Sequence, residues 1–242
     1  MSRFDFRDFS IDQTDSPLKV GTDAILLGAS VVIQPDATRV LDVGTGTGVI
    51  AMILASRFEY LSITALEPNQ KAFAQAAQNF KKASFSERLE ICSDPIATFQ
   101  PEALFDIVVS NPPYFIDDLK STDPDQLQAK HLDELAFYQF IKACAKMLKP
   151  SGLFWLILPK AIAEKVVAFL LQKGFILKYK TRFHSNQNKP DIRWVLAFEN
   201  KGGESAIAED CCFEKELTIR KLDGSFHQDY IALAGHLHAK KL

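Results

Sequence analysis

The sequence lacks an apolar run long enough to cross a membrane. Its longest nearly uninterrupted apolar stretch, Ala24 to Ile33, is about half of the roughly 20 residues that a spanning helix needs. It also lacks an excess of one charge, because 28 Lys and Arg stand against 30 Asp and Glu. We therefore expect neither a membrane protein nor a polycationic nucleic-acid binder, although a local basic face stays open.

Cysteine is scarce, and its spacing suits neither a disulfide framework nor a zinc site. The cysteines are Cys92, Cys144 and the adjacent pair Cys211-Cys212, and none makes a Cys-x-x-Cys motif. The first residues, Met1 to Phe6, mix charges with aromatics and contain no apolar signal-peptide core. We expect a reduced, cytoplasmic, monomeric protein of enzyme size that holds no metal.

From about residue 38, short β-rich runs alternate with longer helical ones. This alternation is typical of an α/β protein with a mostly parallel sheet and helices on both faces. The runs Phe175 to Phe183 and Arg193 to Glu199 predict an antiparallel hairpin at the sheet edge, and Phe213 to Arg220 predicts a further strand. The other predicted strands cover 38–43, 62–66, 89–92, 105–110 and 153–158, and the predicted helices 48–58, 69–82, 132–148, 161–173 and 229 to the C-terminus.

A glycine-rich loop follows the first of these strands and opens a helix. It reads Val-Leu-Asp42-Val-Gly44-Thr-Gly46-Thr-Gly48, and glycine allows the backbone to approach a ligand closely. The spacing departs from the dinucleotide pattern G-x-G-x-x-G, because Val49 occupies the last glycine position. The acid before the glycines would repel a pyrophosphate. It tolerates a cationic amino-acid ligand, such as the methionine part of S-adenosylmethionine.

Two acidic residues follow the next two strands. Glu67, directly after 62–66, is suited to accept both hydroxyls of a ribose, as acids do in dinucleotide folds. Asp94, after 89–92, is suited to accept the amine of an adenine, with Ile96 nearby for packing. A helix-start acid and a turn residue before proline are the alternative interpretations.

The motif Asn111-Pro112-Pro113-Tyr114 ends the strand at 105–110, where open α/β proteins bind their ligands. The prolines remove two amide donors, so the carbonyls of Asn111 and Pro112 form rigid acceptors. Together with the Asn111 side chain they suit a planar –NH₂ group that must present its lone pair. Tyr114 and Phe115 offer a surface on which a base can stack. The alternative is a rigid turn after a buried strand.

These features together resemble a class I S-adenosylmethionine-dependent methyltransferase that methylates amines. More closely, the sequence resembles the bacterial tRNA1(Val) (adenine(37)-N6)-methyltransferase family. The matching segments are Lys19-Val-Gly-Thr-Asp-Ala-Ile-Leu-Leu-Gly, Asn111-Pro-Pro-Tyr-Phe and Tyr230-Ile-Ala-Leu. They extend over most of the chain and leave only residues 200–212 without a counterpart.

The resemblance implies a Rossmann-like fold with a seven-stranded sheet, and N6 methylation of an adenine in tRNA. It implies one domain over 1–242, with an N-terminal extension (1–37) that closes the cofactor pocket, a core (38–200) and a C-terminal addition (201–242). The implied catalytic residues are Asn111, Pro112 and Tyr114. The implied cofactor-binding residues are Gly21, Thr22, Asp23, Asp42, Gly44, Gly46, Gly48, Glu67, Asp94 and Asn111.

Binding of RNA would depend on local basic residues. The segment 178–193 carries five Lys and Arg against the single acid Asp191. We expect Arg182 and Arg193 there, and Lys130 after the motif, to help Tyr114 and Phe115 bind the substrate. The alternative for the segment is a solvated edge strand protected against aggregation. The family resemblance implies Arg-His where this chain has Lys130-His131.

Three other functions compete with this interpretation. An N5-glutamine methyltransferase acting on a translation factor would use the same motif, because a glutamine amide presents the same –NH₂. Such enzymes usually add an N-terminal helical domain, which 1–37 does not predict. A nicotinamide oxidoreductase is disfavoured by the glycine spacing. A fold that only binds RNA has no need of both Asp42 and Glu67.

Overall fold

The computed structural model describes residues 3–14, 20–113, 124–202, 212–240 and 242, with the backbone alone over 124–132. The strands are β1 (Arg3–Asp5), β2 (Ser10–Asp12), β3 (Arg39–Val43), β4 (Ser62–Leu66), β5 (Leu89–Cys92), β6 (Phe105–Ser110), β7 (Leu148–Pro159), β8 (Phe175–Asn186), β9 (Asp191–Asn200) and β10 (Phe213–Arg220). The helices are α1 (Thr22–Ser30), α2 (Val49–Arg57), α3 (Gln70–Lys82), α4 (Pro124–Ala145), α5 (Lys160–Gln172) and α6 (Gln228–Ala234).

Eight of the described strands form one twisted sheet in the order β10-β8-β9-β7-β6-β3-β4-β5. Only β9 runs antiparallel to its neighbours β7 and β8. The mostly parallel, Rossmann-like α/β fold is thereby confirmed. Two details differ from the prediction because β10 pairs in parallel with β8. The sheet has eight strands instead of seven, and β10 instead of the β8–β9 hairpin forms its edge.

Both faces of the sheet are buried, as the apolar character of β7 shows. Successive strand side chains point to opposite faces. Accordingly Trp155 and Ile157 pack into the core on the side of α1 and α2, whereas Phe154 and Leu156 pack on the side of α4 and α5. This two-sided burial fixes the sheet rigidly between its helices.

Helix α1 was not predicted from the sequence, although it coincides with most of the apolar run 24–33. It packs closely on α2, since a Cβ on Gly28 would lie 2.9 Å from Cγ2 of Ile53. The Arg57 side chain of α2 donates hydrogen bonds to the carbonyls of Gly28 and Val31 at the end of α1. The N-terminal residues are thus attached to the sheet beside the glycine-rich loop.

Helix α4 and strand β7 also differ from the predicted boundaries. The helix begins at Pro124 rather than 132 and ends at Ala145 rather than 148. The expected stop at 149–152 belongs instead to the irregular start of β7, where Ser151 adopts a φ of 62°. A local bulge there accommodates the proline and glycine without ending the strand.

The parallel arrangement brings several loops to one edge of the sheet. The carboxyl ends of β3, β4, β5, β6, β7, β8 and β10 meet there with the amino end of β9. In open α/β sheets, ligands bind at this edge. No helix in the described ranges has both the length and the apolar content to cross a membrane.

Candidate active site

A cavity of about 560 Å³ opens at this edge of the sheet. Its volume lies within the range of small-molecule sites. The residues that line it come from the start of α1, the glycine-rich loop, the start of α2, the end of β6, the β8–β9 hairpin and the end of β10. They are Gly21, Thr22, Asp23, Ala24, Gly44, Thr45, Gly46, Thr47, Val49, Ile50, Asn111, Ser185, Ile192, Arg193, Ile219 and Arg220.

The three glycines of the loop have different surroundings. Gly44, Gly46 and Gly48 adopt φ values of 74°, 60° and 90°, a region in which a residue with a Cβ would be strained. A Cβ at Gly44 or Gly46 would meet no atom within 4 Å, and both residues line the cavity. A Cβ at Gly48 would lie 2.5 Å from the Phe80 ring. The first two glycines therefore leave space for a ligand, whereas Gly48 leaves space for Phe80.

Asp42 lies beneath the loop and does not belong to the cavity wall. It is fully buried, and its Oδ2 accepts hydrogen bonds from the Thr45 hydroxyl (2.6 Å) and the Ala51 amide (3.1 Å). Burial raises the pKa of Asp42 to about 7, with a further contribution from the charge of Glu67. Its Oδ1 has no hydrogen-bond partner. This unpartnered oxygen fits a cationic ligand such as S-adenosylmethionine, and Asp42 itself braces the loop.

Glu67 connects the glycine-rich loop to the start of α3. Its Oε2 accepts from the Gly46 amide and its Oε1 from the Asn69 amide, both at 2.9 Å. Each carboxylate oxygen can accept more than one hydrogen bond, so this buried group keeps acceptor capacity that suits ribose hydroxyls. Asp94 is exposed beyond the end of β5 and is not among the cavity-lining residues.

Asn111 is half-buried on the cavity wall, and Pro112 behind it is buried. The preceding Ser110 donates a hydrogen bond to the Val43 carbonyl (2.8 Å), which ties the end of β6 to the end of β3. This bond holds the Asn-Pro-Pro turn beside the glycine-rich loop. Tyr114 and Phe115 lie outside the described residues, as does the side chain of Lys130.

Arg182 is not placed as expected for a phosphate-binding residue. Its guanidinium pairs with Glu216 (2.5 Å) and approaches Glu214 (3.8 Å), both on β10. Lys180 also pairs with Glu214. The parallel register sets Lys180 beside Glu214 and Arg182 beside Glu216, so acids distant in sequence offset the basic run.

Arg193 reaches the cavity but is also paired. Its Nε donates to Oδ2 of Asp23 at 2.8 Å, and both residues line the cavity. Gly21 and Thr22 line it as well, next to Asp23 at the start of α1. The structure thus brings Gly21, Thr22, Asp23, Gly44, Gly46, Asn111 and Arg193 to one cavity and leaves Asp42, Gly48, Glu67, Asp94 and Arg182 off its wall.

Sequence reasoning missed two residues that shape the site. Asn79 is fully buried in α3, where its amide donates to the carbonyls of Thr47 (2.9 Å) and Asp12 (3.0 Å) and its Oδ1 accepts from the Asp12 amide. It clamps β2 to the glycine-rich loop, and a lone Asn on the apolar face of a helix was the available signal. Arg220 lies on the cavity wall at the end of β10.

Comparison with known proteins identifies the family. The methyltransferase small domain family matches residues 9–183. A tRNA1(Val) (adenine(37)-N6)-methyltransferase of Pedobacter heparinus is 39% identical over 199 residues, which cover 82% of this chain and 85% of the relative. The protein of that name from Bacteroides thetaiotaomicron is 38% identical over 245 residues, which cover 98% of each chain. The chain belongs to this family. It is an S-adenosylmethionine-dependent methyltransferase, and the resemblance seen in the sequence is confirmed.

Solved structures show the same fold. A predicted O-methyltransferase, Atu636 from Agrobacterium tumefaciens, aligns with a TM-score of 0.67 at 21% identity, covering 89% of this methyltransferase and 97% of that chain. A putative class I S-adenosylmethionine-dependent methyltransferase from Listeria monocytogenes aligns with a TM-score of 0.56 at 17% identity, covering 80% and 62%. Among the described residues, no group of three His, Cys, Asp or Glu side chains could hold a metal ion.

Proposed function

We propose that this methyltransferase transfers a methyl group to the exocyclic N6 amine of adenine 37 in the anticodon loop of a valine tRNA. The observation that carries the proposal is that Asn111 and the glycines Gly44 and Gly46 line one cavity. An amine-binding motif and a cofactor loop on the same wall suit transfer between two bound molecules. The names of the curated relatives support adenine 37 as the target.

The cofactor residues divide into direct and indirect contributors in this proposal. Gly44 and Gly46 let the cofactor approach the backbone of the loop. Glu67 receives the ribose hydroxyls and also accepts the hydrogen bond from the Gly46 amide. Asp42 lies buried beneath the loop, where a bound cationic cofactor would favour its ionised form. Residues 1–37 close the pocket through Gly21, Thr22 and Asp23, and 1–242 acts as one domain with its core at 38–200. Asp94 receives the adenine amine from the exposed end of β5.

The substrate residues position the amine. The side-chain oxygen of Asn111 and the carbonyl of Pro112 accept the two N6 hydrogens, which takes the nitrogen out of conjugation with the ring. Bound S-adenosylmethionine supplies an electrophilic methyl group. Tyr114 stacks on the extruded adenine, and extrusion from an anticodon loop costs less than from a duplex. Because the methylated nitrogen becomes cationic, it releases its proton without a strong general base, and positioning dominates.

A labelling experiment tests this function. Unmodified bulk tRNA is incubated with isotope-labelled S-adenosylmethionine, and the nucleosides are then analysed by mass spectrometry. We expect label in N6-methyladenosine with the wild type and none with Asn111→Ala. Asn200→Ala is a matched control, since Asn200 hydrogen-bonds to the Leu148 and Lys149 carbonyls at the opposite edge of the sheet.

Other outcomes contradict the proposal in distinct ways. Label in a glutamine of a translation factor, with none in tRNA, would support N5-glutamine methylation instead. Label in tRNA that persists in Asn111→Ala would remove Asn111 from the reaction.

We propose further that the enzyme acts as a cytoplasmic monomer. Sedimentation of the protein with and without tRNA tests the oligomeric state.

A further inference from the structure

Arg220 presents a positive charge to the cavity from the end of β10. It lines the cavity together with Ile219, on the opposite side of β6 in the sheet order from β4 and β5. Glu67 and Asp94, which follow β4 and β5, are the residues proposed for the nucleoside part of the cofactor. The nucleoside part of the cofactor is therefore expected across β6 from Arg220, which leaves Arg220 facing the part of the cavity beside Asn111.

The Arg220 guanidinium is held by a column of aromatic side chains. Its carbon lies 4.4 Å from the centre of the Phe226 ring, and Nη1 donates to the Gly224 carbonyl at 2.7 Å. Phe226 stacks on Tyr230 with ring centres 4.5 Å apart and planes at 12°. The Tyr230 hydroxyl lies 3.0 Å from Nε2 of His238, within hydrogen-bond distance. The column orients the guanidinium, which reduces the entropy lost on binding.

Arg220 differs from the basic residues of β8 and β9 in its pairing. Arg182 pairs with Glu216, Lys180 with Glu214, and Arg193 with Asp23. No carboxylate in the described part of the chain forms an ion pair with Arg220. The guanidinium has five N–H donors in a planar fork, and a phosphate accepts two of them at once. The charge of Arg220, and its donors other than the one bonded to Gly224, thus stay available at the cavity.

We propose that Arg220 binds a backbone phosphate of the tRNA next to the target adenosine and sets the position of that nucleotide over Asn111. This role rests on the proposed function and extends it to a residue outside the sequence motifs. It also assigns a role to the C-terminal addition, residues 201–242, because the aromatic column from Phe226 to His238 supports the guanidinium. A cofactor carboxylate shares this chemistry with a phosphate, and titrating Arg220→Gln with tRNA and with S-adenosylmethionine separates the two anions.

Binding of tRNA at several salt concentrations tests the role of Arg220. Arg220→Gln is compared with the wild type, using an unmodified valine tRNA transcript. We expect the dissociation constant to rise about five- to tenfold at moderate salt, and the slope of log affinity against log salt to fall by about one. Arg3→Gln is the matched control, since Arg3 lies on β1 and pairs with Asp5 away from the cavity. Arg220→Lys keeps the charge and should lose only part of the affinity.

Titration of the same variants with S-adenosylmethionine separates the two anions. We expect Arg220→Gln to bind the cofactor like the wild type, and thermal unfolding to show that the variant is folded. Weaker cofactor binding with unchanged tRNA affinity would assign Arg220 to the cofactor carboxylate and overturn the proposal. If Arg220→Gln and the wild type bind tRNA with equal affinity and equal salt slope, while the wild type methylates tRNA, the role of Arg220 is overturned and the proposed function is not affected. A wild type that leaves tRNA unlabelled would overturn that function itself.

Discussion

Arg193 at the start of β9 and Asp23 at the start of α1 form an ion pair across 170 residues of chain, with Nε 2.8 Å from Oδ2. Both side chains are partly buried, with 29% and 24% of their surface exposed. The pair joins the start of α1 to the β8–β9 hairpin at the cavity wall. It therefore contributes to the shape of the site, whatever Arg193 contacts in addition.

A double-mutant cycle measures this pair. Asp23→Asn, Arg193→Gln and the double variant should show a coupling of about 1 kcal/mol in the free energy of unfolding, since the pair is partly shielded from solvent. Urea denaturation provides the measurement. The exposed pair of Arg7 and Asp8 is the control, for which we expect no measurable coupling. Additive effects of Asp23→Asn and Arg193→Gln would show that the ion pair does not hold the two elements together.

Asp42 should make stability depend on pH. Because burial raises its pKa to about 7, the folded state resists ionisation more than the unfolded chain does. Its contribution to stability is fully present below the unfolded pKa and is lost as the pH rises through about 7. Between pH 5 and pH 7 the wild type should lose about 2 kcal/mol relative to Asp42→Asn, whose side chain still accepts from Thr45 and Ala51. Parallel stability curves for the two proteins would contradict the raised pKa.

Glu67 should contribute to cofactor affinity in two ways. Glu67→Ala removes the acceptor proposed for the ribose and also the acceptor of the Gly46 amide. Loss of hydrogen bonds to a charged group costs about 1.5–3 kcal/mol, so calorimetry should show roughly 10- to 150-fold weaker binding of S-adenosylmethionine. The exposed Glu90 on β5 provides the control variant Glu90→Ala, which should bind normally. Unchanged affinity in Glu67→Ala would remove Glu67 from the site.

Gly48 should be required for packing. Gly48→Ala combines a strained φ of 90° with a Cβ 2.5 Å from the Phe80 ring. Strain and overpacking together should lower the free energy of unfolding by about 2–4 kcal/mol. Gly174→Ala is the matched control, because Gly174 has a φ of 82° and open space around its Cβ, so only strain remains. With Phe80→Leu added, the loss of stability should be smaller than the sum of the two single losses, because the changed side chain relieves the contact with the Cβ; additive losses would mean that backbone strain alone is responsible.

Local sequence patterns determined much of this protein. Alternating β-rich and helical runs predicted the α/β fold, and β10 was predicted with the bounds that the structure has, Phe213–Arg220. The glycine-rich loop and the Asn-Pro-Pro turn could each be recognised because each is a short segment: the glycines follow Asp42 within six residues, and the prolines directly follow Asn111. Such short-range constraints on the backbone depend on neighbouring residues, so they can be recognised from the sequence alone.

Only the tertiary structure decided which charges stay available. The register between β8 and β10 sets Glu216 beside Arg182, and this register depends on how the strands pair across the chain. The same pairing carries Arg220 to the cavity, where the Phe226 ring supports it. Burial of Asp42 beneath its own loop also depends on surrounding elements. Electrostatics depends on distance and solvent exposure, and both quantities are properties of the folded chain.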